Sequence, residues 1–288
     1  MSLHFMTELL EGKSFLPLSN RACFELHGAD RLTYLQGQTT QDFKSLQINH
    51  ARHAAVCNAK GKMQGDLIAS RFEDFLRLDM DVSLAESLPA RLEKYMIAEE
   101  VSLTPSPSCV WGFHRIGSEP PSTSDRWSWG ASNRFGLPGW DGWSDTPPPE
   151  AWKIASTTEA ECFRICCGIP KWGLEMNENT LPPEVLREGD SISYQKGCYI
   201  GQETIARIKS IGRVNKKLCL LECLMEPDQS PVDLFFEDKL IGTLTSISDL
   251  PDETGKWTAL GVLPVSILNP GVAFESSTHR WTLRNVCV

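Results

Sequence analysis

The sequence predicts an α+β protein that ends in a small β-barrel. Three observations predict it. Over the first hundred residues, strand-like runs with hairpin spacing alternate with short helical patterns. From Thr104 to Pro149 the chain loosens into a stretch rich in Pro, Ser, Gly and Trp. After Arg213, short strand-like runs follow one another closely, with turns holding Gly and Pro-Asp. Helices mixed with antiparallel hairpins define the class. The expected division is 1–104, 105–212 and 213–288.

At 288 residues the chain can bury a large core. Its 41% hydrophobic and 23% charged content are those of an ordinary globular protein. No apolar run approaches the ~20 residues needed to span a bilayer. Met1 to Glu11 carries Glu8 and Glu11 and lacks a basic start, unlike a secretory or transit segment, so a cytoplasmic site is expected. The formal net charge of −9 argues against a broad phosphate-binding surface and against direct nucleic-acid binding. Arg207, Lys209, Arg213, Lys216 and Lys217 gather locally, and solvated surface charge is the ordinary reading of such a cluster. The ten cysteines contain no C-x-x-C and predict no metal site. Cys166 and Cys167 are adjacent, whereas Cys219 and Cys223 share one face of a strand. Most of the ten read as small core residues. His50 and His53 precede a strand that begins at Ala54 and read as exposed.

Along the chain, Ala22 to Leu26 reads as a strand ending at Gly28. Asp30 can cap a short helix that Gly37 closes. Thr40 can cap a second helix carrying Phe43 and Leu46. Ala54 to Cys57 is a strand, Asn58 to Gly61 a turn, and 63–72 with 75–80 a hairpin joined at Glu73-Asp74. Pro89 to Met96 is helical, with Leu92, Tyr95 and Met96 facing the core, and a strand follows at Val101 to Leu103. Short strands are expected near Val110 to Ile116 and Arg126 to Trp129. Asp141 to Glu150, with its three prolines, reads as a stiff linker. The tryptophans between read as the filling of a small sheet, with a stacking wall for a flat heterocycle as the alternative. Thr157 or Thr158 caps the next helix. The last strands are expected at 217–224, 234–236, 240–247, 257–262 and 272–274.

The most informative stretch is Lys196-Gly197-Cys198-Tyr199-Ile200-Gly201-Gln202-Glu203. Two glycines bracket a cysteine, which reads as a shaped turn. Gln202 to Lys209 then reads as a short helix with Ile205 and Ile208 on one face. A helix N-terminus and a nearby lysine both favour the thiolate form of Cys198. The same pattern also suits a tight turn with a buried cysteine.

This block resembles the K-G-C-[FY]-x-G-Q-E signature of the YgfZ-type folate-binding proteins, relatives of the glycine-cleavage aminomethyltransferase (T-protein). Other blocks agree. Gly28 to Asp42 is similar to the family's G-x-D-x-x-x-[FY]-[LM]-Q-G-Q-x-T-x-D. Cys57 to Lys62 resembles C-[ND]-x-K-G-K, Arg164 to Pro170 resembles R-I-x-x-G-[IF]-P, and Leu181 to Glu184 resembles [FL]-x-P-[QP]-E. Two positions depart from T-protein. Gly65-Asp66 stands where T-protein has an acidic pair, and Cys166 stands where it has a pterin-binding glutamate.

The resemblance implies a three-part T-protein-like fold around a central cavity, with tetrahydrofolate or a one-carbon derivative as cofactor. It implies a monomer that assists assembly or repair of iron–sulfur clusters in client enzymes, including tRNA-modifying ones. Cys198 is the expected essential residue, acting as nucleophile or transient ligand, with Lys196 lowering its pKa. Asp66 is the expected acidic contact to folate. Gln38, Tyr199, Gln202, Glu203 and Arg207 are expected around the cofactor. Two alternatives stay open: a folate-dependent aminomethyltransferase acting on a lipoyl carrier, and a non-catalytic folate-sensing scaffold.

Overall fold

The computed structural model describes residues 3–121, 126–212, 214–252, 254–269 and 271–288. Arg213 of the basic cluster lies outside the described residues. The chain runs α1 (Leu3–Leu10), β1 (Leu16–Pro17), β2 (Arg21–His27), α2 (Arg31–Gln38), β3 (Ala51–Cys57), β4 (Met63–Arg71), β5 (Phe75–Asp81), α3 (Ser87–Glu93) and β6 (Ser102–Pro105). Five of these strands form an antiparallel sheet in the order β3-β4-β5-β2-β6. Period-two alternation assigns its faces. Ala54, Val56, Leu67 and Ala69 turn to one side and form a core with Tyr34 and Leu35 of α2 and Leu88 and Leu92 of α3. His53, Ala55, Asp66 and Ile68 turn to the other.

A four-stranded sheet follows, built from β7 (Trp111–Ile116), β8 (Ser128–Ser132) and β9 (Gly139–Ser144). Its order is β1-β7-β9-β8, so the first strand of the chain closes the second sheet and not the first. Trp127, Phe15 and Phe113 fill this unit, with Trp129 and Trp152 packed against them. The aromatic residues are thus mostly core, as their number in a small sheet predicts. Edge strands β3 and β8 meet through a bridge between His50 and Ala131, where Ala131 N–H donates to Asn49 O at 2.8 Å.

Helices α4 (Thr157–Cys166), α5 (Pro182–Val185) and α6 (Gln202–Ile211) lead into a closed barrel of β10 (Lys216–Cys223), β11 (Val232–Phe236), β12 (Lys239–Ile247), β13 (Trp257–Pro264), β14 (Ala273–Glu275) and β15 (Arg280–Val286). The barrel order is β10-β13-β12-β11-β14-β15. Strand β10 shows why it stays attached. Cys219, Leu221 and Cys223 point into the barrel with Phe274 and Trp281. Leu218 and Leu220 point outward, into a core shared with Ile165, Ile205 and Ala55. The α+β class with a terminal barrel is therefore the observed one.

Several local expectations need correction. Thr40 does not cap a helix. Its backbone N–H donates to Ala55 O, its hydroxyl donates to Ser191 O at 2.7 Å, and the same oxygen accepts from Ala55 N–H at 2.9 Å. These bonds pin it along β3, although Phe43 and Leu46 are still buried. Tyr95 is exposed and stacks against the Arg91 guanidinium at 4.0 Å, leaving Leu92 and Met96 to the core. Asp141 to Ser144 is strand β9 and not linker, held by β7 on one side and β8 on the other. Ser156 caps α4, in a reciprocal capping box with Glu159. The final strand, β15, was not foreseen.

Candidate functional site

The outward face of β3 and β4 forms one wall of a cavity of about 520 Å³. The opposite walls come from the turn after β8, the segment after α4 and the stretch from Val185 to Ser191. The volume falls within the roughly 300–1,000 Å³ typical of small-molecule sites. Trp140 lies in its lining.

Asp66 is the buried acid of this wall. Its Oδ2 accepts from His53 Nε2 at 2.9 Å, and His53 Nδ1 lies 2.8 Å from Ser191 Oγ. Oδ1 is buried with no hydrogen-bond partner. Burial alone would push the carboxyl up. The His53 hydrogen bond and the charges of His53, Arg21 and Arg134 outweigh it and hold Asp66 below its ordinary value. His53 is therefore not the exposed residue expected from a strand starting at Ala54. The strand starts at Ala51, which places His53 inside it and opposite Ile68.

Beside Asp66, with Arg21 and Arg134 in the cavity lining, runs a chain of charges. Arg21 Nε donates to Asp79 Oδ1 at 2.6 Å, Arg134 donates to Asp79 Oδ2, and Arg134 also reaches Asp141 Oδ2 at 2.9 Å. His114 Nδ1 completes it, 2.7 Å from Asp141 Oδ1. Burial disfavours the Asp141 carboxylate, but Arg134 and His114 hold it well below the usual carboxylate range. Arg21 and Arg134 are thus neutralised in place. Arg52 and Arg187 are different: they donate to uncharged oxygens, the Asp42 carbonyl and Ser45 hydroxyl for Arg52 and the Cys287 and Cys167 carbonyls for Arg187. They bring positive charge to the cavity lining, suited to an anionic group.

The signature block does not line this cavity. Lys196 is buried, and its ammonium donates to the carbonyl oxygens of Gln36, Thr39 and Gln41 at 2.6, 2.6 and 2.7 Å. Burial pushes the amine down to about 7, while three carbonyl acceptors demand three N–H groups and favour the ammonium. The expectation that Lys196 serves Cys198 is corrected accordingly: its donors are committed to the turn after α2. Ile200 N–H adds a bond to Gly37 O at 3.3 Å. Gly201, at φ +87°, packs so tightly that a Cβ would lie 2.5 Å from Asn58 O. Tyr199 is buried in the core shared with the barrel. Cys198 alone of the ten cysteines is exposed.

The remaining expected residues divide. Gln38 is buried, and its Oε1 accepts from Arg91 at 2.9 Å. Gln202 is half-buried, while Glu203 and Arg207 are exposed on α6. Of all the residues expected around the ligand, only Asp66 lines the cavity. The turn from Gln36 to Asp42 joins the two regions. It takes the Lys196 bonds on one side, and on the other Gln41 Nε2 donates to Gly189 O at 2.6 Å in the cavity wall. The two departures from T-protein also find a place. A Cβ at Gly65 would meet Leu84 and Leu88 at 3.0–3.1 Å, so position 65 faces the core. Cys166 Sγ lies 3.4 Å from Thr258 Oγ1 at the barrel. Neither position lines the cavity.

Comparisons with known proteins agree with this architecture. No protein-family model matches the chain. The structure superposes on the crystal structure of glycine cleavage system aminomethyltransferase T from Bartonella henselae with a TM-score of 0.80. The match covers 98% of this chain and 88% of that one at 15% identity. The fold is therefore that of the T-protein. In sequence, the chain is 26% identical over 293 residues to the tRNA-modifying protein YgfZ of Aliivibrio fischeri (strain MJ11), covering 92% of this chain and 89% of that one. It is 24% identical over 283 residues to the tRNA-modifying protein YgfZ of Vibrio vulnificus (strain YJ016), with 90% and 86% covered. The chain is thus similar in sequence to YgfZ proteins and in fold to the T-protein. Among the described residues no helix is long and apolar enough to cross a membrane.

Proposed function

We propose that the protein binds tetrahydrofolate, or a one-carbon derivative, in the cavity and acts as an accessory factor for iron–sulfur enzymes, tRNA-modifying ones among them. The observation that carries this reading is the buried, unpartnered Oδ1 of Asp66 in the wall of a cavity of about 520 Å³. A buried acceptor without a donor is costly, by about 1–3 kcal/mol or more for a charged group. A ligand that brings an N–H would remove that cost, and the aminopyrimidinone edge of a pterin has such donors. Arg52 and Arg187 suit the carboxylates of the glutamate tail. The residues present therefore fit the cofactor. When bound, it would supply a ring nitrogen that carries one-carbon units.

In this reading the exposed Cys198 meets client or assembly proteins. One cysteine is too few to hold a cluster, which usually takes four protein ligands, so any cluster contact is shared with a partner. Lys196, Tyr199, Gln202 and Glu203 shape and anchor the loop that presents the thiol, and Arg207 extends the same exposed helix. The relatives named as tRNA-modifying proteins support the placement of this role.

The test is a tryptophan-fluorescence titration with tetrahydrofolate, using Trp140 in the cavity lining as reporter. Saturable quenching is expected, weakened at least tenfold by Asp66→Asn and unchanged by Cys198→Ala. In cells lacking the protein, Cys198→Ala should fail to restore cluster-enzyme activity. Absence of saturable binding, in fluorescence and in calorimetry, would sink the folate assignment.

A further inference from the structure

His53 is held at both ring nitrogens, between Asp66 Oδ2 at 2.9 Å and Ser191 Oγ at 2.8 Å. The three residues come from β4, β3 and the segment after α5, and all three line the cavity. An ionised carboxylate only accepts hydrogen bonds, so Nε2 must carry the proton it donates to Asp66. In the neutral ring Nδ1 is then bare and accepts the Ser191 hydroxyl proton. The carboxylate thus selects the tautomer, the serine orients the ring through Nδ1, and the histidine fixes the carboxylate. With Oδ2 occupied, the plane of Asp66 is set and Oδ1 is the oxygen left over.

We infer that His53, oriented by Ser191, is a positioning residue that holds Asp66 as an ionised acceptor with one oxygen reserved for a donor on the ligand. The inference deepens the proposed ligand site and rests on that reading only for the identity of the ligand. It selects for ligands that present an N–H or O–H donor at this point, and against those presenting only acceptors.

The charges around the trio support the assignment. Arg21 from β2 and Arg134 from the turn after β8 favour the ionised carboxylate. Both are already bound to Asp79, so neither donates a hydrogen bond to Asp66. His50 just before β3, Arg52 of β3, and Arg187 and Asp190 from the segment after α5 are other charged or titratable side chains of these cavity walls. None of them is hydrogen-bonded to Asp66, so the direct donor is His53. Protonating His53 leaves the Nε2 bond intact and turns the Nδ1 proton toward Ser191 Oγ. The carboxylate therefore keeps its hydrogen bond from Nε2 in either protonation state of the ring.

The test follows the Asp66 carboxyl directly. Protein with [¹³C]carboxyl-labelled aspartate is titrated by NMR from pH 4 to 8, with Asp66→Asn giving the assignment. The wild-type Asp66 signal should stay ionised throughout. In His53→Leu burial is no longer offset, and proton affinity should rise at least about 30-fold, bringing a titration into the window. His53→Gln offers an amide N–H and should restore much of the wild-type behaviour, separating a donor role from simple packing. Added imidazole should do the same for His53→Ala. Ser191→Ala should leave the Asp66 signal ionised as in wild type while removing the hydrogen bond at Nδ1, read from the ¹⁵N shift of that nitrogen. An Asp66 signal in His53→Gln and His53→Leu, or in His53→Ala if the leucine variant does not fold, that superimposes on wild type would overturn the inference. Tetrahydrofolate affinity is measured alongside at pH 5 and 8. Its ratio should be near one in wild type and fall about threefold at pH 5 in His53→Leu. If wild type binds no tetrahydrofolate at either pH, the ligand assignment fails while the carboxyl titration still decides the role of His53.

Discussion

The Lys196 ammonium sits 2.7 Å from the carbonyl oxygen of Gln41, and the Gln41 side chain reaches 2.6 Å to Gly189 O in the cavity wall. One residue thus connects the loop that carries Cys198 with the pocket that carries Asp66. Lys196 is the centre of that connection. Replacing it with methionine leaves the Gln36, Thr39 and Gln41 carbonyls without their donor. We expect a loss of about 2–4 kcal/mol, read as an earlier midpoint in urea unfolding. Lys196→Arg should not restore stability, because a planar fork cannot reproduce three convergent donors from one nitrogen.

The two glycines of the signature should respond oppositely to alanine. Gly201 combines φ +87° with a Cβ position 2.5 Å from Asn58 O and 3.0 Å from Gly61 Cα. Gly201→Ala is expected to cost more than about 2 kcal/mol. No heavy atom stands within 4 Å of a Cβ at Gly197. Gly197→Ala should fall within about 0.5 kcal/mol of wild type. Thermal unfolding of the pair distinguishes them, and equal losses would contradict the geometry.

Native-state alkylation should single out Cys198. It is exposed, whereas the other nine cysteines are buried or half-buried. Brief iodoacetamide treatment at neutral pH followed by peptide mass spectrometry should show Cys198 as the predominant modified site. Burial pushes the Cys57, Cys167 and Cys219 thiols up to about 12, which removes their thiolate at that pH. Cys198→Ala should abolish the labelling and leave the urea midpoint unchanged.

Acid stability should depend on Arg134. Asp66 and Asp141 both lie below the ordinary value of 3.8 in the folded chain. As pH falls, the unfolded chain takes up these protons first. The stabilising contribution is full at neutral pH, shrinks as pH drops through the unfolded value, and is gone below the folded values. Arg134→Met removes the main cation beside Asp141 and leaves Asp79 with Arg21 alone. Its acid-unfolding midpoint should rise by roughly one pH unit, and its stability at pH 7 should fall by about 3 kcal/mol.

Much of the architecture could be read from periodicity. The hairpin turning at Glu73-Asp74, the helix starting at Gln202 and the runs of the barrel all follow from local pattern. The exposed thiol sits in the most distinctive block of the chain. The cavity was harder, because its lining comes from stretches far apart in sequence. His53 and Asp66 are brought together only by the β3–β4 register, and beginning β3 three residues late put His53 outside the strand. Ser191, Arg52 and Arg187 belong to no motif. The signal that could have found His53 is its position three residues before Val56 on the face opposite that core residue. Gln38 misled for the opposite reason: a polar residue in a conspicuous motif satisfies a half-buried arginine instead of a ligand.

The pairing of Leu16 with His114 and Pro17 with Phe113 sets an order of events during synthesis. The second sheet cannot be completed until its partner strand has left the ribosome. At ~5–20 residues per second, that delay is on the order of 5–20 s. Throughout it, Leu9, Phe15 and Leu16, which end up buried, have nothing of their own sheet to pack against. The stretch from Leu9 to Leu16 is thus a waiting apolar segment, open to chaperone capture while the first five-stranded sheet assembles behind it.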